Sequence, residues 1–257
     1  MSLAERINFS FMNVLSSIFL GVIQGLTEFI PVSSSGHLVI AQSLIPNFYQ
    51  PGILFDVVLH FGTLFAVVYF FRKTLLSINF KYLLLLFIGT LPAVFAGLFF
   101  RSQLEASFSA VKWVGIELII TGILNYFVDR TPERNNNITN SNSFLIGIAQ
   151  AIAIIPGISR SGSTIFTAVK LGIEKKRAAE FSFLLSIPAI LGANVLEILT
   201  HRGGEGISFG AYFGGFLSAF IVGYLSIRVV MKFLLEKKFK IFAYYCFAIG
   251  IVAALFL

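Results

Sequence analysis

The sequence predicts an all-α polytopic membrane protein, built as an inverted-topology repeat of six transmembrane helices plus two re-entrant helix–loop–helix hairpins. Composition is the first observation, because 57% of the 257 residues are hydrophobic and only 12% are charged. Soluble domains carry about 25% charged residues. The second observation is a series of apolar stretches of spanning length, and the third is a pair of apolar stretches that polar segments interrupt. Together they exclude soluble enzymes, nucleic-acid-binding domains and secreted disulfide scaffolds.

Six apolar stretches approach the roughly 20 residues that a helix needs to cross the hydrocarbon core of a bilayer. The mean hydropathy of the whole chain, +0.89, agrees with several such crossings. The predicted spans cover residues 53–71, 82–100, 112–128, 179–199, 210–231 and 241–257.

Two further apolar regions are each divided by a polar segment. The first segment, Pro31-Val-Ser-Ser-Ser-Gly-His37, follows residues 11–30, and the second, Pro156-Gly-Ile-Ser-Arg-Ser-Gly-Ser-Thr164, follows residues 144–155. Twelve helical residues rise only about 18 Å, little more than half of the core. We therefore expect each region to enter and leave on one side. Such backbone is tolerated at membrane depth only where protein or a wet cavity surrounds it.

The distribution of basic residues orients these segments. The predicted topology places thirteen basic residues on one side of the membrane and four on the opposite side. Positively charged loops face the cytoplasm, so both termini are expected to face outward. The thirteen are Arg72, Lys73, Lys81, Arg130, Arg134, Lys170, Lys175, Lys176, Arg177, Lys232, Lys237, Lys238 and Lys240, and the four are Arg6, Arg101, Lys112 and Arg202.

The same topology divides a single membrane domain, residues 1–257, into two halves that run in opposite directions. The halves are residues 11–128 and 144–257, and the polar linker 129–143 joins them. Inverted repeats of this kind place their interrupted helices near the midplane, where substrate binds.

Polar side chains gather on the two segments, and ionisable groups inside a membrane indicate function. Helix N-termini bind anions, and a guanidinium matches phosphate oxygens, so the set indicates phosphate-ester or diphosphate chemistry. The simpler interpretations are serines that only cap helices, a histidine that only packs in the core, and an arginine that only neutralises a buried acid. The set comprises Gln24, Glu28, Ser33, Ser34, Ser35 and His37 in the first region, and Ser159, Arg160, Ser161, Ser163 and Thr164 in the second.

The chain contains two long motifs, Gln24-Gly-Leu-Thr-Glu28-Phe-Ile-Pro31-Val-Ser-Ser-Ser-Gly-His37 and Pro156-Gly-Ile-Ser-Arg-Ser-Gly-Ser-Thr164. They resemble the signature motifs of bacterial undecaprenyl-diphosphate phosphatases, also called bacitracin-resistance proteins. The resemblance implies a phosphatase of the bacterial plasma membrane whose active site is reached from the outer face. It would remove the terminal phosphate of undecaprenyl diphosphate with the help of Mg²⁺ or Ca²⁺. Hydrolysis would recycle the carrier lipid for peptidoglycan synthesis and confer bacitracin resistance.

The resemblance also implies roles for individual residues. Glu28, Ser34, His37 and Arg160 match the catalytic positions, and the residues alone leave Ser34 and His37 open as the nucleophile. Where the family often has Glu, this chain has Gln24, whose amide oxygen can coordinate a cation but carries no charge. Glu28 and Gln24 are thus the candidate metal ligands. The candidate substrate-binding residues are Ser33, Ser35, Ser159, Ser161, Ser163 and Thr164.

Two other functions share parts of this pattern. Type 2 phosphatidic acid phosphatases use Pro-Ser-Gly-His and Ser-Arg-x5-His, but Ser34 replaces the proline and Phe166 the second histidine, so that class is excluded. A flippase that moves a lipid phosphate without hydrolysis remains the alternative, because inverted repeats are transporter architecture. The expected partners are a polyprenyl diphosphate lipid, membrane lipids and a second copy in a homodimer, and no nucleic acid. Glu117, Glu180 and Glu197 receive no role.

Overall fold

The computed structural model describes residues 14–44, 54–100, 111–132, 134–200 and 207–256. All regular structure in these ranges is α-helical, so the predicted all-α class is confirmed. The eleven helices found there are α1 (Val14–Phe29), α2 (Ser34–Leu44), α3 (Leu54–Phe70), α4 (Arg72–Ser77), α5 (Phe80–Phe99), α6 (Val111–Val128), α7 (Asn140–Ile152), α8 (Arg160–Lys170), α9 (Lys175–Thr200), α10 (Phe209–Leu235) and α11 (Lys240–Phe256).

Each of the six predicted spans coincides with one helix. Helices α5, α9 and α10 are long and apolar enough to cross a membrane. Helices α3, α6 and α11 contain 17, 18 and 17 residues, which rise about 25 to 27 Å and lie at the short end of the spanning range. The described ranges of this membrane protein therefore contain three helices whose length and composition suit a crossing, and six crossings stay a prediction.

The outer surface supports this assignment, because large apolar side chains cover it. Leu76, Phe80 and Phe209 are 90%, 81% and 83% exposed, and many other aliphatic and aromatic side chains are similarly open. Soluble monomers rarely expose apolar patches of more than a few hundred Å². Lipid is the solvent that such a surface fits.

Both polar segments are shorter than the sequence indicated. Helices α2 and α8 begin inside the polar segments Pro31–His37 and Pro156–Thr164, at Ser34 and Arg160. The reason is capping, since Ser159 Oγ accepts a hydrogen bond from the Gly162 N–H at 3.1 Å. A side-chain oxygen at this position satisfies a free N–H of the first turn. His37 consequently lies on α2 and not in a loop.

Close glycine contacts fasten the two interrupted regions. Helix α1 runs parallel to α10, with Gly21 against Gly215 and Gly25 against Gly223. A Cβ atom on Gly21 would overlap the α10 backbone, so this approach requires glycine. Small residues let helices approach closely in membranes, where association relies on packing.

Helix α7 packs on α5 in the same manner and also in parallel. Gly147 lies against Gly89, and Ser143 Oγ donates a hydrogen bond to the Leu85 carbonyl at 2.5 Å. Thus the first interrupted region is held by a late helix of the chain, and the second by an early one.

Candidate active site

Glu28 is the buried centre of a polar cluster at the end of α1, and its residue is only 8% exposed. Its Oε1 accepts a hydrogen bond from Arg160 Nη2 at 2.5 Å. Its Oε2 accepts from Ser34 Oγ at 2.7 Å and from Gln24 Nε2 at 2.9 Å. One carboxylate therefore joins α1 to the first residues of α2 and α8, as the convergence of the two predicted segments requires.

Ser33 links the two segments a second time. Its Oγ accepts a hydrogen bond from the Gly157 N–H of the second segment at 3.1 Å. Its φ is +69°, in the left-handed region that residues with a side chain rarely adopt. Because Ser33 directly precedes Ser34, this backbone conformation sets the direction in which Ser34 leaves the segment.

Two polar residues of α6, which the sequence analysis missed, support the segments from behind. Thr121 Oγ1 donates to the Gly157 carbonyl at 2.8 Å and accepts from the Ser159 N–H at 2.9 Å. Asn125 Nδ2 donates to the Pro31 carbonyl at 2.5 Å. Their polarity within an otherwise apolar span was the available signal.

The two segments have matching hydroxyl pairs. Ser33 Oγ and Ser35 Oγ are 3.3 Å apart, and Ser159 Oγ and Ser161 Oγ are 3.2 Å apart. Each pair lies at the N-terminus of the helix that follows its segment. The predicted serines are therefore together at the site, but those at 33 and 159 are also capping residues.

The last two predicted hydroxyl residues lie further along α8. Thr164 Oγ1 donates to the Arg160 carbonyl at 2.8 Å and lies 2.6 Å from Ser182 Oγ on α9. Thr164 thus supports the first turn of α8 from inside the protein. Ser163 Oγ is buried and has no hydrogen-bond partner within the described ranges.

His37 is occupied by protein groups at both ring nitrogens. Nδ1 lies 2.8 Å from the Ser33 carbonyl oxygen, and Nε2 lies 2.9 Å from the Tyr245 hydroxyl on α11. A carbonyl oxygen can only accept, so Nδ1 carries the proton, and Nε2 of the neutral ring accepts from the hydroxyl. The two rings also stack, with centroids 5.6 Å apart.

A cavity of about 50 Å³ opens at this cluster. Arg160 Nη1 is buried and finds no hydrogen-bond partner in the described part of the chain. An unpaired guanidinium N–H beside several hydroxyl groups offers donors to the oxygens of a phosphoryl group. The lining residues are Thr27, Glu28, Ser33, Ser34, Ser35, Ala153, Ile158, Ser159 and Arg160.

The oxygen donors at the site have the chemistry that Mg²⁺ and Ca²⁺ prefer. Gln24 turns its Nε2 toward Glu28, and its Oε1 is buried without a partner among the residues described. No group of three or more His, Cys, Asp and Glu that could hold a metal occurs in those residues. A cation would thus need Glu28 together with oxygens of the substrate.

Comparison with known proteins places these observations in a family. The family model described as "Bacitracin resistance protein BacA" matches residues 17–252. A protein of Christiangramia forsetii named undecaprenyl-diphosphatase is 39% identical over 95% of this chain and 98% of its own length. One of Syntrophotalea carbinolica with the same name is 38% identical over 93% and 97%. Undecaprenyl-diphosphatase 4 of Bacillus cereus is 39% identical over 94% and 96%.

Proposed function

The chain belongs to the bacitracin resistance protein BacA family, and from this membership we infer that it is an undecaprenyl-diphosphatase. The reaction hydrolyses undecaprenyl diphosphate to undecaprenyl phosphate and phosphate, which returns the carrier lipid to peptidoglycan synthesis and protects against bacitracin. The observation that carries the proposal is the Glu28 carboxylate, which holds both the Ser34 hydroxyl and the Arg160 guanidinium at the cavity.

Ser34 is the nucleophile in the mechanism that this geometry favours. Glu28 Oε2 takes the hydroxyl proton while Ser34 Oγ attacks the terminal phosphorus, and the bond to the bridging oxygen breaks. The leaving group is a lipid monophosphate, whose second pKa of about 6 lets it depart without much acid assistance. Glu28 passes the proton of Ser34 to the departing lipid monophosphate and becomes a carboxylate again. It then takes a proton from water, whose oxygen attacks the phosphorus of the phosphoserine. The bond between phosphorus and Ser34 Oγ breaks, phosphate leaves, and Ser34 recovers its proton from Glu28. His37 is the weaker candidate, because both of its nitrogens are engaged.

Arg160 stabilises the charge of the phosphoryl group. Phosphoryl transfer depends mostly on positioning and electrostatics. One arm of the guanidinium is fixed by Glu28, and the buried Nη1 is free for a phosphoryl oxygen. A Mg²⁺ or Ca²⁺ bound by Glu28 and phosphate oxygens would supply further positive charge.

Variants of Gln24 test whether a second acid is needed at the site. We expect Gln24→Glu to change kcat by less than about tenfold, or about 1.4 kcal/mol of barrier, because Glu28 already supplies the carboxylate. Gln24→Ala should cost more, since it removes both the N–H that Glu28 accepts and the amide oxygen. The measurement is phosphate release as a function of Mg²⁺ concentration.

Gln150→Ala is the matched control for Gln24, because Gln150 donates to the Gly89 carbonyl between α7 and α5, at 3.5 Å, and does not line the cavity. It should keep wild-type kcat. A Gln24→Ala protein as active as wild type would show that Gln24 takes no part in the site.

The fold in this proposal is an inverted repeat of residues 11–128 and 144–257 around the linker 129–143. Helix pairs between the two halves support this repeat. Helix α1 of the first half packs in parallel on α10 of the second, and α7 of the second half packs in parallel on α5 of the first. Helices α6 and α11 pair with one another in opposite directions, with Gly115 against Gly250 and Gly122 against Ala243. A shift of 126 positions also superimposes Ser17 on Ser143, Gly21 on Gly147, Gln24 on Gln150, Gly89 on Gly215, Ser33 on Ser159 and Gly36 on Gly162.

Orientation and assembly are part of the proposal. The basic loops face the cytoplasm of a bacterial cell, following the positive-inside rule, and the cavity is reached from the outer face of the plasma membrane. The lipid substrate then enters from the surrounding bilayer. A homodimer is the proposed assembly, to be measured in detergent and in vesicles.

The experiment that tests the function is phosphate release from undecaprenyl diphosphate by the purified protein in detergent. Hydrolysis needs one compartment, whereas transport needs two, so release under these conditions separates a phosphatase from a flippase. A Ser34→Ala protein purified in parallel controls for contaminating phosphatases and should release no phosphate above background. Movement of a lipid phosphate across vesicles without phosphate release by the wild type would instead support the transporter.

A further inference from the structure

Tyr245 lies on α11, outside both motifs, yet its side chain contacts the first polar segment. Its neighbour Cys246 also reaches this segment, where its Sγ donates to the Pro31 carbonyl at 3.7 Å. The Tyr245 hydroxyl meets His37 Nε2 at 2.9 Å, and the tyrosine ring stacks on the imidazole at an interplanar angle of 13°. Tyr245 is 43% exposed on the apolar surface. Packing alone does not account for this placement, because a phenylalanine would fill the same surface.

The contact continues from the imidazole into the backbone of the first segment. With the Tyr245 hydroxyl on Nε2, the proton of the neutral ring stays on Nδ1. That N–H reaches the Ser33 carbonyl at 2.8 Å. Ser33 has a φ of +69°. The surrounding structure must hold this left-handed conformation in place.

From Ser33 the chain of contacts reaches the proposed nucleophile. Ser33 Oγ receives the Gly157 N–H of the second segment, and the next residue, Ser34, donates to Glu28. A shift of the Ser33 peptide would move both contacts. A displacement of 1 Å at a reacting group can cost as much as about 10²-fold in rate.

We propose that Tyr245 is a positioning residue, which orients His37 so that its Nδ1–H holds Ser33 in the left-handed conformation and thereby aims Ser34 at the phosphate. His37 acts through Ser33 in this scheme and not as a nucleophile. The proposal rests on the proposed phosphatase function, and it adds a third element, α11, to the two motifs.

The kinetic test compares Tyr245→Phe with Tyr244→Phe, which removes a hydroxyl from the neighbouring tyrosine, 55% exposed on the same helix. Tyr245→Phe should lower kcat by about tenfold with little change in KM, because geometry and not substrate binding is disturbed. Tyr244→Phe should keep wild-type kinetics. Equal kcat for wild type and Tyr245→Phe would overturn the proposal.

A double variant shows whether Tyr245 acts through His37. His37→Gln keeps an N–H donor but lacks the imidazole, and adding Tyr245→Phe to it should cause little further loss, since coupled residues are non-additive. A further tenfold loss in the double variant would contradict a role through His37.

A spectroscopic readout keeps this test independent of activity. The chain has three histidines, so ¹⁵N-histidine spectra are simple, and His37→Gln assigns the His37 signals. We expect a neutral Nδ1-protonated ring whose Nε2 signal alone moves in Tyr245→Phe. An unmoved Nε2 signal would exclude the hydrogen bond. If the wild type released no phosphate, the phosphatase function would fail, and this spectrum would still decide whether Tyr245 orients His37.

Discussion

Replacing Glu28 with glutamine should lower kcat by about 10³-fold, within the 10²- to 10⁴-fold range of general acid–base catalysis. The amide cannot take the proton of Ser34, and it leaves the Arg160 cation, 15% exposed in its side chain, without its counter-charge. Glu28→Asp keeps the charge but withdraws the carboxylate by one methylene. We expect that variant to fold like wild type and still lose about 10²-fold.

The control for Glu28 is Glu236→Gln, which makes the same change at the turn between α10 and α11. Glu236 accepts a hydrogen bond from Lys238 at 2.7 Å, outside the cavity, and should tolerate the change without loss of kcat. Phosphate release and thermal unfolding are measured on all four proteins. If Glu28→Gln kept more than a tenth of wild-type kcat, Glu28 would not be the base.

Arg160→Lys should reduce kcat by about 10²- to 10³-fold, or roughly 2.7 to 4 kcal/mol, the usual effect of removing one preorganised donor from a transition-state site. Lysine keeps the positive charge but lacks the planar fork. The single ammonium group of lysine can therefore contact either Glu28 or the phosphoryl group. Arginine can contact both at once, with Nη2 on Glu28 and Nη1 on the phosphoryl group.

Arg177→Lys is the matched substitution for Arg160. Arg177 donates to Asn135 and Asn137 Oδ1, both at 3.3 Å, at the linker, so its replacement should leave kcat unchanged. Single-turnover phosphate release with each protein separates the chemical step from product release. Turnover near wild type in Arg160→Lys would refute the proposal that Arg160 contacts Glu28 and the phosphoryl group at the same time.

The sequence was sufficient for the six helices that match the predicted spans and for the residues around Glu28, because both leave local signals, whereas the short helix α4 was not predicted. Spans appear as apolar runs, and Glu28, Ser34 and Arg160 stand inside two polar segments that had to meet at mid-depth. The start of α2 was misjudged, since the capping role of Ser33 depends on its backbone conformation, which the residue type does not determine.

The supporting residues could not be predicted, because their contacts connect distant parts of the chain. Tyr245 and His37 are 208 positions apart, and Asn125 and Pro31 are 94 apart. Hydrophobic periodicity reports only on neighbours within a few helical turns. The inverted repeat was predicted from the topology, and the positions that match between its proposed halves were not found in the helices before the polar segments. Those positions are isolated small or polar residues such as Gly21 and Gly147.

The pairing of α1 with α10 has a consequence for biosynthesis. Gly21 leaves the ribosome long before Gly215, its contact in the finished protein. At about 5 to 20 residues per second, the intervening chain takes roughly 10 to 40 s to make. During that interval the helix that carries Glu28 has no permanent neighbour along this face. Glu28 is thus synthesised early, whereas the face of its helix that meets α10 is covered only after Gly215 has been made.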